Sequence, residues 1–282
     1  MAKRPKLSYK LVPDWPRLPE DRPLGHVPGV AVNSHDRIYT ISRQEKGIIV
    51  FDLDGRILGC WGKEIFTNPH GLHIAPDDCI YIADADDHTV RKFSPEGYLM
   101  MTLGTKGCPG EEGKPFHRPT AVAVAPSGEI YVSDGYAGFR VHKFSAAGEL
   151  LLSWGSKGTG PGEFAVPHSV TVGSDGRVWV ADRENHRIQI FTPDGDYITE
   201  WTGLEMPCTA FIDKEGLVYV PGVKRRFDIF DPEGKVLLNW SEDKGNSPVQ
   251  FVGPHCVCTD SKGDLYIGEV FDGARLFKFA RV

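Results

Sequence analysis

The chain has 282 residues, of which 40% are hydrophobic and 25% are charged, the profile of a soluble globular protein. Its length is enough to bury a large core without disulfides or metal staples. The net charge of −6 argues against a nucleic-acid partner, because binding to phosphates normally needs a basic face.

The N-terminal segment combines a basic start with a polar continuation. "MAKRPK" is followed by "LSYKLVPDWPRLPEDRP" rather than by an apolar stretch, so it does not resemble a signal peptide. No run in the chain approaches the roughly 20 apolar residues of a membrane helix. The six cysteines show no paired spacing and no CxxC, which fits reduced thiols. These features predict a cytoplasmic protein without a membrane partner.

Six copies of one unit follow, beginning at residues 26, 67, 117, 165, 205 and 252. Each copy opens with a proline: Pro28, Pro69, Pro119, Pro167, Pro207 and Pro254. The steps between these prolines run from 40 to 50 residues, close to the length of a four-stranded propeller blade. The repeat predicts six blades over residues 26–282.

Each copy reads as a series of strands without helical periodicity. An apolar run follows the proline, then a turn such as "PSG", a strand such as "IYVSD" or "VWVAD", and a third strand such as "RIQIF". The sixth copy stops at Val282, after its third strand, and an open ring would leave an unpaired edge. We therefore expect "LSYKLVPDW", within a lead-in of residues 1–25, to supply the missing strand. The predicted fold is an all-β, six-bladed β-propeller in a single domain, residues 1–282.

The residue after each blade-opening proline alternates in kind. The slot holds Gly29, His70, Thr120, His168, Cys208 and His255 in turn. In a propeller the first strand of each blade lines the central channel, so alternate blades place these side chains roughly 120° apart. Three neutral histidines with an open fourth position form the ligand set of a catalytic zinc site. A lone histidine at a strand start is more often a turn or core residue, but three in one slot favour a metal site.

The identity of the metal is left open by the ligands, since iron, copper or nickel also bind imidazole. Seven other histidines fall outside the slot and are expected at the surface or in packing contacts: His26, His35, His73, His88, His117, His142 and His186. Two other sets are also interpreted as structural: Cys256 and Cys258 as packing between blades, and Asp84, Asp134, Asp182 and Glu269 as hydrogen-bonding groups repeated in step with the blades.

Several segments resemble one enzyme family within the NHL-repeat propellers, the peptidyl-α-hydroxyglycine α-amidating lyases. "PHGLHI", "VPHSVTV" and "GPHCV" are similar to that family's three zinc-histidine motifs. "VSDGYAGFRVHKFS" is similar to the segment with its active-site tyrosine, which maps to Tyr136, and "IYTISRQEKGIIVFD" to the segment with its arginine, which maps to Arg43. The resemblance implies a zinc-dependent lyase that cleaves the C–N bond of an N-acyl carbinolamine, a small-molecule substrate, giving an amide and an aldehyde such as glyoxylate.

The resemblance also implies roles for the mapped residues. Tyr136 would act as the base for the substrate hydroxyl and Arg43 would hold a carboxylate by paired hydrogen bonds. From the residues alone, Tyr136 as a turn aromatic and Arg43 as an ion-paired channel residue stay open as alternatives. Cys256 stands where the family has an acidic calcium ligand, so a calcium ion is doubtful here. Gly253 replaces a family methionine, which reshapes the substrate pocket, and Ala137 replaces a cysteine, so the family's disulfide cannot form.

Two other functions fit the same pattern. One is a non-catalytic NHL-repeat binding scaffold in which a metal only pins the channel, and the other is a metal-dependent hydrolase of a small molecule. Propellers serve all of these roles, so the fold does not decide between them. The fourth metal position separates catalysis from structure, because a catalytic site keeps it open.

Overall fold

The chain forms a ring of six four-stranded antiparallel sheets in a computed structural model that describes residues 7–111 and 114–282. The described residues are otherwise loops and turns, with a single turn of 3-10 helix at Arg183–Asn185. None of these residues lies in a helix long and apolar enough to cross a bilayer. The predicted all-β, six-bladed propeller is confirmed.

The strands follow the predicted repeat. Blades 1 and 2 contain β2 (Val30–Val32), β3 (Ile38–Ser42), β4 (Gly47–Phe51), β5 (Ile57–Trp61), β6 (Pro69–Ile74), β7 (Ile80–Asp84), β8 (Thr89–Phe93) and β9 (Leu99–Gly104). Blades 3 and 4 contain β10 (Ala121–Val124), β11 (Ile130–Asp134), β12 (Arg140–Phe144), β13 (Leu150–Trp154), β16 (Pro167–Val172), β17 (Val178–Asp182), β18 (Arg187–Phe191) and β19 (Tyr197–Trp201), with a small parallel pair between them, β14 (Ser156–Lys157) and β15 (Glu163–Phe164). Blades 5 and 6 contain β20 (Phe211–Ile212), β21 (Val218–Gly222), β22 (Arg226–Phe230), β23 (Val236–Ser241), β24 (Pro254–Thr259), β25 (Leu265–Glu269) and β26 (Leu276–Arg281).

The N-terminal strand closes the ring, as the sequence predicts. β1 (Tyr9–Leu11) pairs antiparallel with β26, so that Tyr9 lies opposite Arg281 and Leu11 opposite Phe279. Leu7, Tyr9 and Leu11 pack against the apolar cluster between blades 5 and 6. The last blade is thus completed by the first strand, which covers the outer edge of β26.

The core consists of apolar layers between successive blades. Each layer joins side chains of two neighbouring sheets, for example Tyr81 and Val90 of blade 2 with Val122 and Val132 of blade 3. The second strand of every blade is buried on both faces, which accounts for its continuous apolar composition. The inner strands line an axial channel, and this arrangement brings residues distant in sequence to one axis.

Candidate metal centre

A local irregularity places each slot histidine. In blades 2, 4 and 6 the inner strand starts at the proline, and its register shifts across the histidine, between Pro69 and Gly71 in blade 2. The same shift occurs in β16 and β24, at His168 and His255. A bulge leaves the extra residue outside the ladder and re-aims its side chain. The bulges therefore turn three imidazoles towards the axis, whereas the other blades begin their inner strands later.

The three imidazoles meet at one end of the channel. Ring centroids are 4.8 Å apart for His70 and His168, 4.9 Å for His70 and His255, and 4.8 Å for His168 and His255. One ring nitrogen from each lies within 4.8 Å of the others, and all three residues are buried. The arrangement is close to an equilateral triangle, the geometry that three ligands of one ion require.

Backbone carbonyls of the intervening blades orient the rings. The Nδ1 atoms donate hydrogen bonds as follows: His70 to the Thr120 carbonyl (2.7 Å), His168 to that of Cys208 (2.9 Å) and His255 to that of Pro28 (2.9 Å). A carbonyl can only accept, so each Nδ1 carries the proton and each Nε2 presents a lone pair. This hydrogen bond to the outer nitrogen is typical of metal-ligating histidines. In blade 2 the hydrogen bond between His70 and the Thr120 carbonyl requires a glycine at position 71, because a Cβ there would lie 2.6 Å from the Thr120 oxygen.

Burial keeps the histidines neutral. It lowers the pKa of His70 and of His168 well below the usual value, and the neighbouring imidazoles lower both further. Burial, followed by the charge of Arg43, lowers the pKa of His255 to about 3. Neutral imidazole is the form that binds a metal. The donor set and its protonation thus fit a divalent transition metal.

Tyr136 lies over the open side of the histidine triangle, on the loop after β11. Its hydroxyl oxygen is 2.8 Å from Nε2 of His70 and 3.3 Å from Nε2 of His168. Burial raises the pKa of Tyr136, while the charges of Arg183 and Arg43 act to lower it. The phenol is therefore within reach of any group bound at the triangle, in a setting where added positive charge favours the phenolate.

Three arginines surround this phenol. The guanidinium carbon of Arg118 lies 5.3 Å from the Tyr136 ring centroid and that of Arg183 lies 5.7 Å from it. Arg118 is paired with Asp86 at 2.7 Å. Arg43 interacts with Tyr136, and its Nε is buried without a hydrogen-bond partner among the described residues. A half-buried guanidinium whose Nε is buried and unpaired is suited to bind an anion.

The structure therefore brings all five site residues of the sequence analysis together: His70, His168, His255, Tyr136 and Arg43. Sequence reasoning missed Arg183 and Arg118. Arg183 follows the last residue of β17 just as Arg43 follows the last residue of β3, so both occupy one repeat position, three blades apart. An arginine at the same repeat position on opposite sides of a six-bladed ring is the sequence feature from which Arg183 could have been predicted as a site residue.

The repeated carboxylates are structural, as expected. They accept backbone N–H groups just before the blade-opening prolines, at 2.6 to 3.4 Å: Asp84 from Thr67 and Asn68, Asp134 from His117, Asp182 from Ala165 and Val166, and Glu269 from Val252 and Gly253. Cys256 and Cys258 are buried in the layer between blades 6 and 1, and burial raises the pKa of both thiols. All six cysteines are free thiols.

Comparison with known proteins agrees with this architecture. The NHL repeat model matches residues 116–144 and 164–191. Human NHL repeat-containing protein 3 is 36% identical over 247 residues, covering 83% of this chain and 67% of that protein. Peptidyl-alpha-hydroxyglycine alpha-amidating lyase 1 of Drosophila melanogaster is 32% identical over 277 residues, covering 88% of this chain and 51% of that protein. A streptogramin B lyase structure superposes with a TM-score of 0.65 at 15% identity, over 97% of this chain and 86% of that one, which shows the fold alone.

The fold and the repeats together define an NHL-type six-bladed propeller. The chain belongs to the family of NHL-repeat propellers that includes NHL repeat-containing protein 3 and the peptidyl-α-hydroxyglycine α-amidating lyases. It spans about half the length of the fly lyase.

Proposed function

We propose that the chain is a zinc-dependent lyase that cleaves the C–N bond of an N-acyl carbinolamine. The substrate would be R–CO–NH–CH(OH)–COO⁻, and the products an amide, R–CO–NH₂, and glyoxylate. The observation that carries the proposal is the position of the Tyr136 hydroxyl, 2.8 Å from Nε2 of His70, at the open side of three neutral imidazoles. The lyase name of the fly relative supports the same chemistry.

The metal would be held by Nε2 of His70, His168 and His255. Three protein ligands leave a position for substrate, as catalytic zinc sites do. Such an ion supplies Lewis-acid polarisation of a substrate oxygen. Zinc is the proposed ion, although the same imidazoles would also hold iron or another divalent transition metal.

The chain's own groups account for the proton and the charge. Tyr136, as phenolate, accepts the proton of the carbinol hydroxyl. The O–H electron pair then forms the aldehyde C=O, and the C–N pair passes to the amide nitrogen. Tyr136 returns its proton to that nitrogen, so atoms and charge balance without a water molecule. The same residue thus serves as base and then as acid.

The arginines would hold and orient the anionic end of the substrate. The free Nε of Arg43 can donate to a carboxylate, in the low-dielectric setting where such a charged bond is strong. Arg183 would favour the phenolate form of Tyr136 through its positive charge.

Metal content and turnover measured on the same preparation test the proposal. We expect about one zinc per chain and release of glyoxylate from an N-acyl-α-hydroxyglycine. Removal of the metal with a chelator should abolish glyoxylate release, and added zinc should restore it. Stoichiometric metal without turnover of any carbinolamide would instead assign the ion a structural role, as in a binding scaffold. Products that contain the atoms of an added water molecule would indicate a hydrolase.

A further inference from the structure

The outer strand of blade 2 differs from those of the other blades in its charge. In blades 1, 3, 4 and 5 a charged residue directly precedes the outer strand: Arg56, Glu149, Asp196 and Lys235. The strand that completes blade 6, β1, contains Lys10. In blade 2 the preceding residue is Tyr98, and no residue from there to Gly104 is charged. Charged side chains at a sheet edge oppose pairing with another chain, so blade 2 lacks a protection that the other blades have.

The same strand, β9, presents an apolar edge to solvent. Tyr98 is 73% exposed, Leu99 56% and Met100 59%. Within the part of the chain that the structure describes, β8 is the only strand that neighbours β9, so the outer side of β9 has no strand partner. An uncharged apolar edge is a template for a further strand, and a contiguous exposed apolar patch marks a surface for interaction.

The sequence of β9 is complementary to itself when two copies run antiparallel. A two-fold axis through Met101 pairs every residue from Tyr98 to Gly104 with a residue of the second copy. Leu99 then lies opposite Leu103 of the second copy, an apolar pair of the kind that stabilises sheets. Tyr98 lies opposite Gly104 of the second copy, where an aromatic ring covers the backbone that a glycine leaves bare.

The charges outside the strand fit the same arrangement. Glu96 lies in the turn before β9 and Lys106 in the turn after it, and both are exposed. The two residues are equally distant in sequence from Met101. Pairing about Met101 therefore sets the turn with Glu96 of one copy beside the turn with Lys106 of the other, and symmetry repeats this contact. A parallel alignment would instead bring like charges together, which is unfavourable.

We infer that β9 pairs with β9 of a second copy of this chain, so that the two blade 2 sheets join into one across a two-fold axis at Met101. The inference is independent of the proposed lyase function, because the histidine triangle lies at the axial channel, which the inner strands line, and β9 is an outer strand. Few side chains form the contact, so we expect a dissociation constant on the order of 10 µM, typical of a small interface.

Sedimentation velocity of the full chain over about 1 to 300 µM tests for the dimer. Met100→Lys places two ammonium groups diagonally across the two-fold axis and should raise the dissociation constant at least about tenfold. Leu151→Lys is the matched control, since Leu151 is 54% exposed in the outer strand of blade 3, and it should leave the constant unchanged. A chain that stays monomeric throughout, or equal weakening by both substitutions, would overturn the inference.

Cross-linking tests the register, because a residue on a two-fold axis faces its own copy. Directly opposed residues of antiparallel strands have Cα atoms about 4.5–5.5 Å apart, a separation that a disulfide spans. Met101→Cys should therefore give a cross-linked dimer on mild oxidation, in a chain whose exposed thiols are removed by Cys60→Ser and Cys108→Ser. Leu151→Cys in the same background should not. Equal cross-linking of both variants, or none in Met101→Cys at concentrations where the dimer forms, would assign the dimer to another surface or register and refute the pairing about Met101.

Discussion

At the residue scale, the hydroxyl of Tyr136 is the group that a phenyl ring at this position would lack. The Tyr136→Phe variant keeps the ring and its contacts with His70 but loses the hydroxyl. Removal of a general acid–base group typically lowers rates by about 10²- to 10⁴-fold, so we expect a loss of kcat in that range with one zinc still bound. Tyr98→Phe, at an exposed position, is the matched control. Full activity of Tyr136→Phe would exclude Tyr136 as the base.

Arg43 gives a prediction that depends on the charge of the substrate. Its buried, free Nε should bind the substrate carboxylate, and hydrogen bonds between charged groups contribute roughly 1.5–3 kcal/mol each. We expect Arg43→Gln to lower kcat/KM for an N-acyl-α-hydroxyglycine about 100-fold. The corresponding hydroxyglycinamide, which lacks the carboxylate, should show a much smaller loss, because only the effect of the Arg43 charge on the pKa of Tyr136 remains. Arg225→Gln, at an exposed ion pair in blade 5, serves as the control. Equal losses for both substrates would mean that Arg43 does not bind the carboxylate.

The buried histidines predict how the stability of the metal-free chain depends on pH. Their pKa values in the folded state lie below the ordinary value of 6.5, so the unfolded chain binds more protons. The contribution of these histidines to stability is thus fully present above about pH 6.5. It is lost as the pH falls towards their pKa in the folded state, which is about 3 for His255. Each imidazole contributes roughly 1.4 kcal/mol per pH unit in that window.

The slope of this dependence can be assigned by substitution. The free energy of unfolding, measured in urea between pH 7.5 and 5.5, should fall less steeply with falling pH in His168→Gln than in the wild type. The difference in slope should correspond to about one bound proton, because the variant lacks one buried imidazole. His73→Gln provides a comparison, because burial lowers the pKa of His73 to about 4 at a position outside the metal centre. An unchanged slope in His168→Gln would contradict the assignment of a depressed pKa to His168.

At the scale of the element, the carboxylate that ends the second strand positions the histidine of the same blade. Asp182 accepts hydrogen bonds from the backbone of Ala165 and Val166, directly before Pro167 and His168, and also pairs with Arg187 at 3.0 Å. Asp182→Asn replaces a charged acceptor with a neutral one and leaves buried donors poorly satisfied. We expect a loss of roughly 3 kcal/mol in the free energy of unfolding and about tenfold weaker metal binding.

Asp175→Asn is the control in the same blade. Asp175 lies in an exposed turn and pairs with Arg177, so its replacement should change stability by less than about 1 kcal/mol. Equal effects of the two substitutions would mean that Asp182 does not organise the start of β16.

The elements also show what could be predicted from sequence. The blades and the histidine triangle follow from local spacing, because each proline and its slot recur in step with one structural unit. Arg118 and Arg183 contact Tyr136 from loops of blades 3 and 4, and although the repeat position of Arg183 is visible in the sequence, its distance from Tyr136 is not. The same holds for Phe271, whose position depends on a left-handed backbone and on the missing side chain of Gly253. Gly253 was recognised as a departure from the family, but the aromatic ring that occupies its space could not be predicted.

At the scale of the whole molecule, ring closure by β1 predicts the effect of a truncation. A chain that begins at Pro13 lacks the pairing with β26 and the packing of Leu7, Tyr9 and Leu11. The lost burial amounts to roughly 3 kcal/mol, so we expect a Tm lower by about 5–10 °C and a tendency to aggregate through the exposed edge. A peptide of residues 7–13 added in trans should restore part of the Tm, and a scrambled peptide should not. An unaltered Tm would show that β1 does not stabilise the ring.

The propeller as a whole gathers three histidines, separated by up to 185 positions, at a single point on its axis. Crystals of the protein measured on both sides of the zinc absorption edge test this arrangement most directly. We predict one anomalous peak per chain, about 2.0–2.1 Å from Nε2 of His70, His168 and His255, with the remaining position facing Tyr136. A peak bound by other side chains, or none between the three imidazoles in protein that retains activity, would contradict the account.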